Sequence, residues 1–103
     1  MTPTQDYLNK CKQILEVVSK QEAEILKVLG HPVRLMIVAG LCTNECNVKK
    51  IWECLGLPQA TVSQHLALLK NKGIIVGKRG GAEVFYSVVN PLAKKIVEIL
   101  TCS

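Results

Sequence analysis

Two helical stretches separated by Gly56-Leu57-Pro58 constrain this chain more than any other feature. Val48, Ile51, Trp52 and Leu55 share one face of a short helix over about 47–55, which Gly56 ends. Leu57-Pro58 opens the next helix, because proline suits a first helical turn, and it runs from Gln59 to Lys72. Val62, Leu66 and Leu69 stand at i, i+4 and i+7 and form its inner stripe. At 100° per residue the outer face holds Ala60, Thr61, Gln64 and Ala67, flanked by Gln59 and Ser63. A short helix, a tight turn and a second helix with a small polar outer face is the helix-turn-helix pattern. Such an outer face fits a DNA major groove, where amides and hydroxyls meet base edges and Gln64 can pair bidentately with adenine. A plain amphipathic helix with a solvated face would show the same residues.

The segment downstream of this helix pair shifts the balance. Ile74–Lys78 and Glu83–Val88 read as strands rich in β-branched and aromatic residues, with Arg79-Gly80-Gly81-Ala82 as the turn of a β-hairpin. Lys78 and Arg79 lie at its tip, and Lys70 and Lys72 lie just upstream. A basic tip of this kind reaches a phosphate or the minor groove. Lysine and arginine outnumber the acids 13 to 8, a formal charge of +5, which suits a polyanionic partner.

Upstream, Tyr7, Leu8, Cys11, Ile14, Leu15 and Val18 mark a helix over about 4–20, and a second helix over 21–29 stops at Gly30. His31-Pro32 opens a helix through Leu41 that is apolar nearly all round and is expected to be the buried one. Asn90-Pro91 caps a last helix carrying Leu92, Ile96, Ile99 and Leu100. The expected fold is one domain over 1–103, mainly α with a small β-hairpin wing. There is no Gly-rich phosphate loop, no suggestion of a Cys-His-acid triad and only scattered carboxylates, so an enzyme is not expected. No cofactor is called for. Neither a signal peptide nor an 18-residue apolar run is visible, so no membrane association and a cytoplasmic location are expected. Thiols there are reduced, and five cysteines, an odd count, do not suggest a disulfide framework.

Leu29-Gly30-His31-Pro32-Val33-Arg34-Leu35-Met36-Ile37-Val38 and the stretch from Leu57 to Leu69 resemble the ArsR/SmtB repressors, and Lys78 to Tyr86 is similar to their wing. The resemblance spans roughly Ile25 to Val89. It implies a winged helix-turn-helix homodimer that represses transcription from double-stranded operator DNA. Metals, metalloids or thiol-reactive species would release it, and the first and last helices would carry dimerisation. It also implies a recognition helix at 59–70 and a wing at 77–84. Gln59, Ser63 and Gln64 fall on its DNA-contact positions. Thr61 is added from the helical wheel, His65 is a further candidate nearer the inner edge, and Lys70, Lys78 and Arg79 are phosphate candidates. Two departures stand out. His31 replaces the usual acid or asparagine and is read as a helix-entry residue, and Ala60 sits where serine is common.

Three readings of the cysteines stay open. In a dithiol branch that answers persulfides or oxidants, Cys42 and Cys102 would be the sensor pair, each displaced by about one helical turn from the family positions. In a soft-metal branch, Cys42 and Cys46 would act together if their segment is helical, although lysines replace the other ligands. In the third, no cysteine senses anything. Cys11 is expected in the core or a dimer interface, and Cys54 is expected buried beside Leu55. The family's zinc site on the last helix is absent, since residues 89–103 contain no histidine and only Glu98 as an acid.

Overall fold

The computed structural model describes residues 3–17, 20–43 and 46–101. In chain order these form α1 (Pro3–Val17), α2 (Lys20–Leu29), α3 (Pro32–Thr43), β1 (Cys46–Asn47), α4 (Val48–Leu55), α5 (Gln59–Asn71), β2 (Ile75–Gly80), β3 (Glu83–Val88) and α6 (Pro91–Thr101).

Local chemistry sets the boundaries. The His31 Nδ1 accepts the Val33 backbone N–H at 3.1 Å and so starts α3, the helix-entry role expected of it. Arg34 Nε donates to the Val28 carbonyl at 2.7 Å, supplying a partner to the last turn of α2. Asn47 is the N-cap of α4, its Oδ1 accepting from Lys50 N–H at 2.8 Å, and Gly56 closes that helix at φ 65°, a left-handed conformation that costs glycine little. A Schellman pair closes α5, with Ile74 N–H donating to the Leu69 carbonyl and Gly73 N–H to that of Lys70. Asn90 Oδ1 accepts from Ala93 N–H at 2.9 Å and caps α6 as expected.

The hairpin differs in detail from expectation. Arg79 and Gly80 belong to β2, and the register Gly80↔Glu83 leaves a two-residue turn at Gly81-Ala82. Gly81 has φ 67°, the positive value that such turns need at their first central position. A two-residue strand, β1, adds to the expected elements. It pairs antiparallel with β3, Cys46 opposite Tyr86, giving the sheet order β1-β3-β2.

The core lies around α3, which packs against α2, α5, α6 and β3. Val38, Val62, Leu69, Ile74 and Ile75 are fully buried, and each such side chain contributes about 1.5–3 kcal/mol by leaving water. Helix α3 is central but not enclosed all round. Met36 is exposed and, with Gly40, Ile51 and Cys54, borders a hollow of 290 Å³ between α3 and α4. Helix α1 has no extensive packing against another element. The molecule is consequently long, 63 × 29 × 21 Å, with a radius of gyration of 17.6 Å against about 13 Å for a compact chain of this size. Among the described residues no single helix is long and apolar enough to cross a membrane.

Candidate nucleic-acid interface

Helix α5 presents a face that its own fold does not use. Val62, Leu66 and Leu69 turn into the core, while Gln59, Ala60, Ser63, Gln64, Ala67 and Lys70 are exposed. Thr61 differs from expectation: it is half-buried on the flank, beside His65, rather than on the outer face. The exposed face carries two small alanines among amides, a hydroxyl and one lysine. It has no acid, so it approaches a polyanion without charge repulsion.

The wing stands next to it. Lys78 and Arg79 are exposed on β2, opposite Phe85 and Val84 of β3. Successive strand residues point to opposite faces, so the two cations serve different sides of the hairpin. The Phe85 ring covers Gly80, where a Cβ would come within 3.0 Å of Cε2, and this packing stiffens the tip. Asn47 joins the wing to the first helix of the motif, its Nδ2 donating to Glu83 Oε2 at 2.9 Å while its Oδ1 caps α4. Gln59 lines a hollow of 410 Å³ between wing and helices, with Lys49, Trp52, Glu83 and Tyr86. Lys72 is drawn elsewhere, to Glu24 of α2 at 3.4 Å.

His65 faces inward from the flank of α5. Its Nδ1 lies 3.4 Å from the Arg34 Nη1, and its ring centroid lies 4.6 Å from that of His31. Loss of water, then the nearby His31 and Arg34, hold its pKa below the ordinary histidine value. This three-residue contact joins α5 to the start of α3 across the sequence and has no local signal.

The cysteines are dispersed. Cys42 is exposed near the end of α3, on a hollow of 450 Å³ bordered by Ser87, Lys94, Glu98 and Thr101. Partial loss of water beside this hollow pushes its thiol above the ordinary value, and the charge of Lys94 pulls it partly back. Cys46 lies on the strand β1, so its backbone is not the helix that the soft-metal reading asks of this segment. Cys102 lies outside the described residues. Cys11 is half-buried on α1. Cys54 is exposed, correcting the expectation of burial: it lies at the open side of the hollow beside α3, whereas Ile51, on the same hollow, is buried in the core.

A helix-turn-helix of α4 and α5 packed against α3 and followed directly by a β-hairpin defines a winged helix-turn-helix regulator. The family model for bacterial regulatory proteins of the arsR family matches residues 31–76. The transcriptional repressor PagR of Bacillus anthracis is 42% identical over 82 residues, 79% of this chain and 82% of that protein. The biofilm growth-associated repressor of Xylella fastidiosa is 34% identical over 89 residues, 86% and 78% of the two chains. The solved structure of reduced HlyU from Vibrio cholerae matches with a TM-score of 0.81 at 31% identity, covering 88% of this chain and 99% of that one. The chain belongs to the ArsR/SmtB family: it is a DNA-binding transcriptional repressor and not an enzyme.

Proposed function

We propose that this repressor works as a homodimer over the single domain 1–103, reading double-stranded operator DNA with α5 of each protomer. The observation that carries this reading is the exposed, acid-free face of α5 beside the basic β2 strand. Gln59, Ser63 and Gln64 meet base edges, with Thr61 at the margin. Lys70, Lys78 and Arg79 meet phosphates. Dimerisation comes from α1 and the outer side of α6, whose exposed Tyr7, Ile14, Leu15, Ile99 and Leu100 need a cover that a second copy supplies. Two recognition helices then address half-sites roughly 34 Å apart.

Release from DNA comes from thiol chemistry at Cys42, with Cys102 as its partner. Supporting this, Thr101, the neighbour of Cys102, borders the same hollow as Cys42 between α3 and α6. A persulfide or oxidant that bridges the two sulfurs ties the dimer platform to the helix at the centre of the DNA-reading body. A coupling of only about 1–3 kcal/mol suffices to shift operator occupancy.

The test uses the reduced protein on a duplex it selects from a random pool. Polysulfide, peroxide, arsenite and zinc are added to the wild type and to Cys42→Ser, Cys46→Ser and Cys102→Ser. Release by polysulfide that vanishes in Cys42→Ser and Cys102→Ser is expected. A normal polysulfide response in Cys102→Ser ends the dithiol reading, and an arsenite response lost only in Cys42→Ser and Cys46→Ser replaces it with a soft-metal one.

A further inference from the structure

We propose that His65 is a positioning residue that bolts the recognition helix to α3 through Arg34, so that its protonation weakens DNA binding. This deepens the reading of α5 given under the proposed function and rests on it.

The geometry forms a chain across three helices. Arg34 is anchored first, its Nε on the Val28 carbonyl at the end of α2. Its Nη1 then reaches His65 Nδ1 on α5 at 3.4 Å. His31 sits at the α2–α3 junction with its ring against that of His65, its own Nδ1 occupied by the Val33 N–H. Arginine has donors only, so the His65 Nδ1 facing it acts as an acceptor and the ring is neutral in this arrangement. Two turns further along the same flank of α5, Lys72 meets Glu24 of α2 and makes a second tie. The flank of α5 is thereby held to the α2–α3 corner while its opposite side stays open.

An imidazolium donates at both nitrogens and no longer accepts from Arg34. It also places a cation against Arg34, and against His31 when that ring is charged. Of the elements packed against α5, α3 supplies Arg34 and the preceding junction supplies His31. Among the described residues, α4 and β2 bring no charged group that shifts this ring. The lowered pKa has the sign that this setting demands. Protonation therefore loosens the bolt, and the outer face of α5 loses its fixed angle to the wing.

The sign separates this role from direct contact. A histidine touching phosphate strengthens binding when it gains a proton, whereas a positioning histidine paired with arginine weakens it. The chain has two histidines, and between pH 7.0 and 5.5 they are the side chains whose ordinary pKa falls in the window.

The experiment measures fluorescence anisotropy on a duplex selected by the wild type at pH 7.0, read from pH 7.0 to 5.5, with circular dichroism melts to show that each variant is folded. Wild-type affinity is expected to fall roughly 5- to 20-fold on acidification. His65→Gln, whose side-chain oxygen accepts from Arg34 without titrating, should bind within about twofold of wild type at pH 7.0 and lose most of the fall. His65→Ala, with no acceptor, should bind more weakly at pH 7.0 than His65→Gln. Wild-type affinity that is flat or rises on acidification overturns the proposal. So does a folded His65→Gln that keeps the wild-type profile, or that binds at pH 7.0 as poorly as Gln64→Ala. A wild type that selects no duplex at pH 7.0 removes the DNA-reading role of α5 itself, a failure distinct from a wild type that binds without this pH response.

Discussion

Helix α1 carries an apolar stripe and α3 is apolar nearly all round, and their apolar residues meet opposite fates. In α3, Ile37, Val38 and Leu41 are at most 4% exposed. In α1, Tyr7, Ile14 and Leu15 stay 62–73% exposed. Helix α6 combines both situations, burying Ala93 and Val97 toward the body and leaving Ile99 and Leu100 open. An apolar stripe at helical spacing therefore says that something covers it, and not whether the cover is the same chain. The body from α2 to α6 closes on itself around α3, and α1 with the end of α6 presents the surface that the proposed dimer needs.

That contrast predicts two kinds of damage. Leu69→Ala empties a fully buried position and should cost about 2–5 kcal/mol in denaturant unfolding. Leu15→Ala should barely alter the unfolding of dilute protein. It should instead weaken the dimer by about 2 kcal/mol, a factor of roughly 30 in dissociation constant by sedimentation. Equal losses of monomer stability from the two variants would erase the distinction between body and arm. A wild type that sediments as a monomer at micromolar concentration would remove the dimer.

A second contrast, between α5 and the wing, sharpens the DNA reading. Gln64→Ala should cost about 1–3 kcal/mol on the selected duplex and relax its sequence preference. Arg79→Ala should weaken selected and random duplexes alike and lower the salt slope by about one. Binding titrations over a range of salt distinguish the two, and a Gln64→Ala variant with wild-type discrimination would break the assignment of α5 to the groove.

The elements are legible in the sequence where punctuation is local. Gly56, Pro58, Gly73 and Asn90 each mark a boundary within one turn of where the chain obeys it. Strand β1 is not legible, because two residues have no period and its pairing partner Tyr86 lies far along the chain from Cys46. The outer face of α5 follows from the inner stripe, but a 100° wheel places Thr61 a little too far out, and packing against neighbours draws that flank inward. Leu55 is a poor guide to Cys54, since adjacent helical residues point in different directions. The His31–Arg34–His65 contact depends on how α5 crosses α3, and no spacing along the chain encodes a crossing.

Asn47 tests whether body and wing are coupled. Its side chain caps α4 and also holds Glu83 of the wing, at 7% exposure. Asn47→Ala should cost about 1–2 kcal/mol of unfolding free energy from the lost cap and the unpaired groups. Asn47→Asp keeps the cap but sets a carboxylate against Glu83, so it should retain α4 and loosen the wing. Faster hydrogen exchange confined to β3 in Asn47→Asp is the expected signature, and exchange unchanged from wild type would separate wing from body.

The smallest effect concerns the pH dependence of stability. His65 has a pKa lowered in the folded protein, first by loss of water and then by His31 and Arg34. Above the ordinary histidine value near 6.5 the ring is neutral in both folded and unfolded chains, and its contribution does not change with pH. As pH falls through that value the unfolded chain takes up the proton first, so unfolding is favoured. The loss grows until the folded ring also protonates, below its own lowered value, and then levels off. Because the ring is only half-buried, solvent screens the neighbouring charges and the loss is modest. Wild type should therefore melt at a lower temperature at pH 5.5 than at pH 7.0, and His65→Gln should show a smaller difference. Equal shifts in the two proteins would show that protonation of His65 does not contribute to the pH dependence of stability.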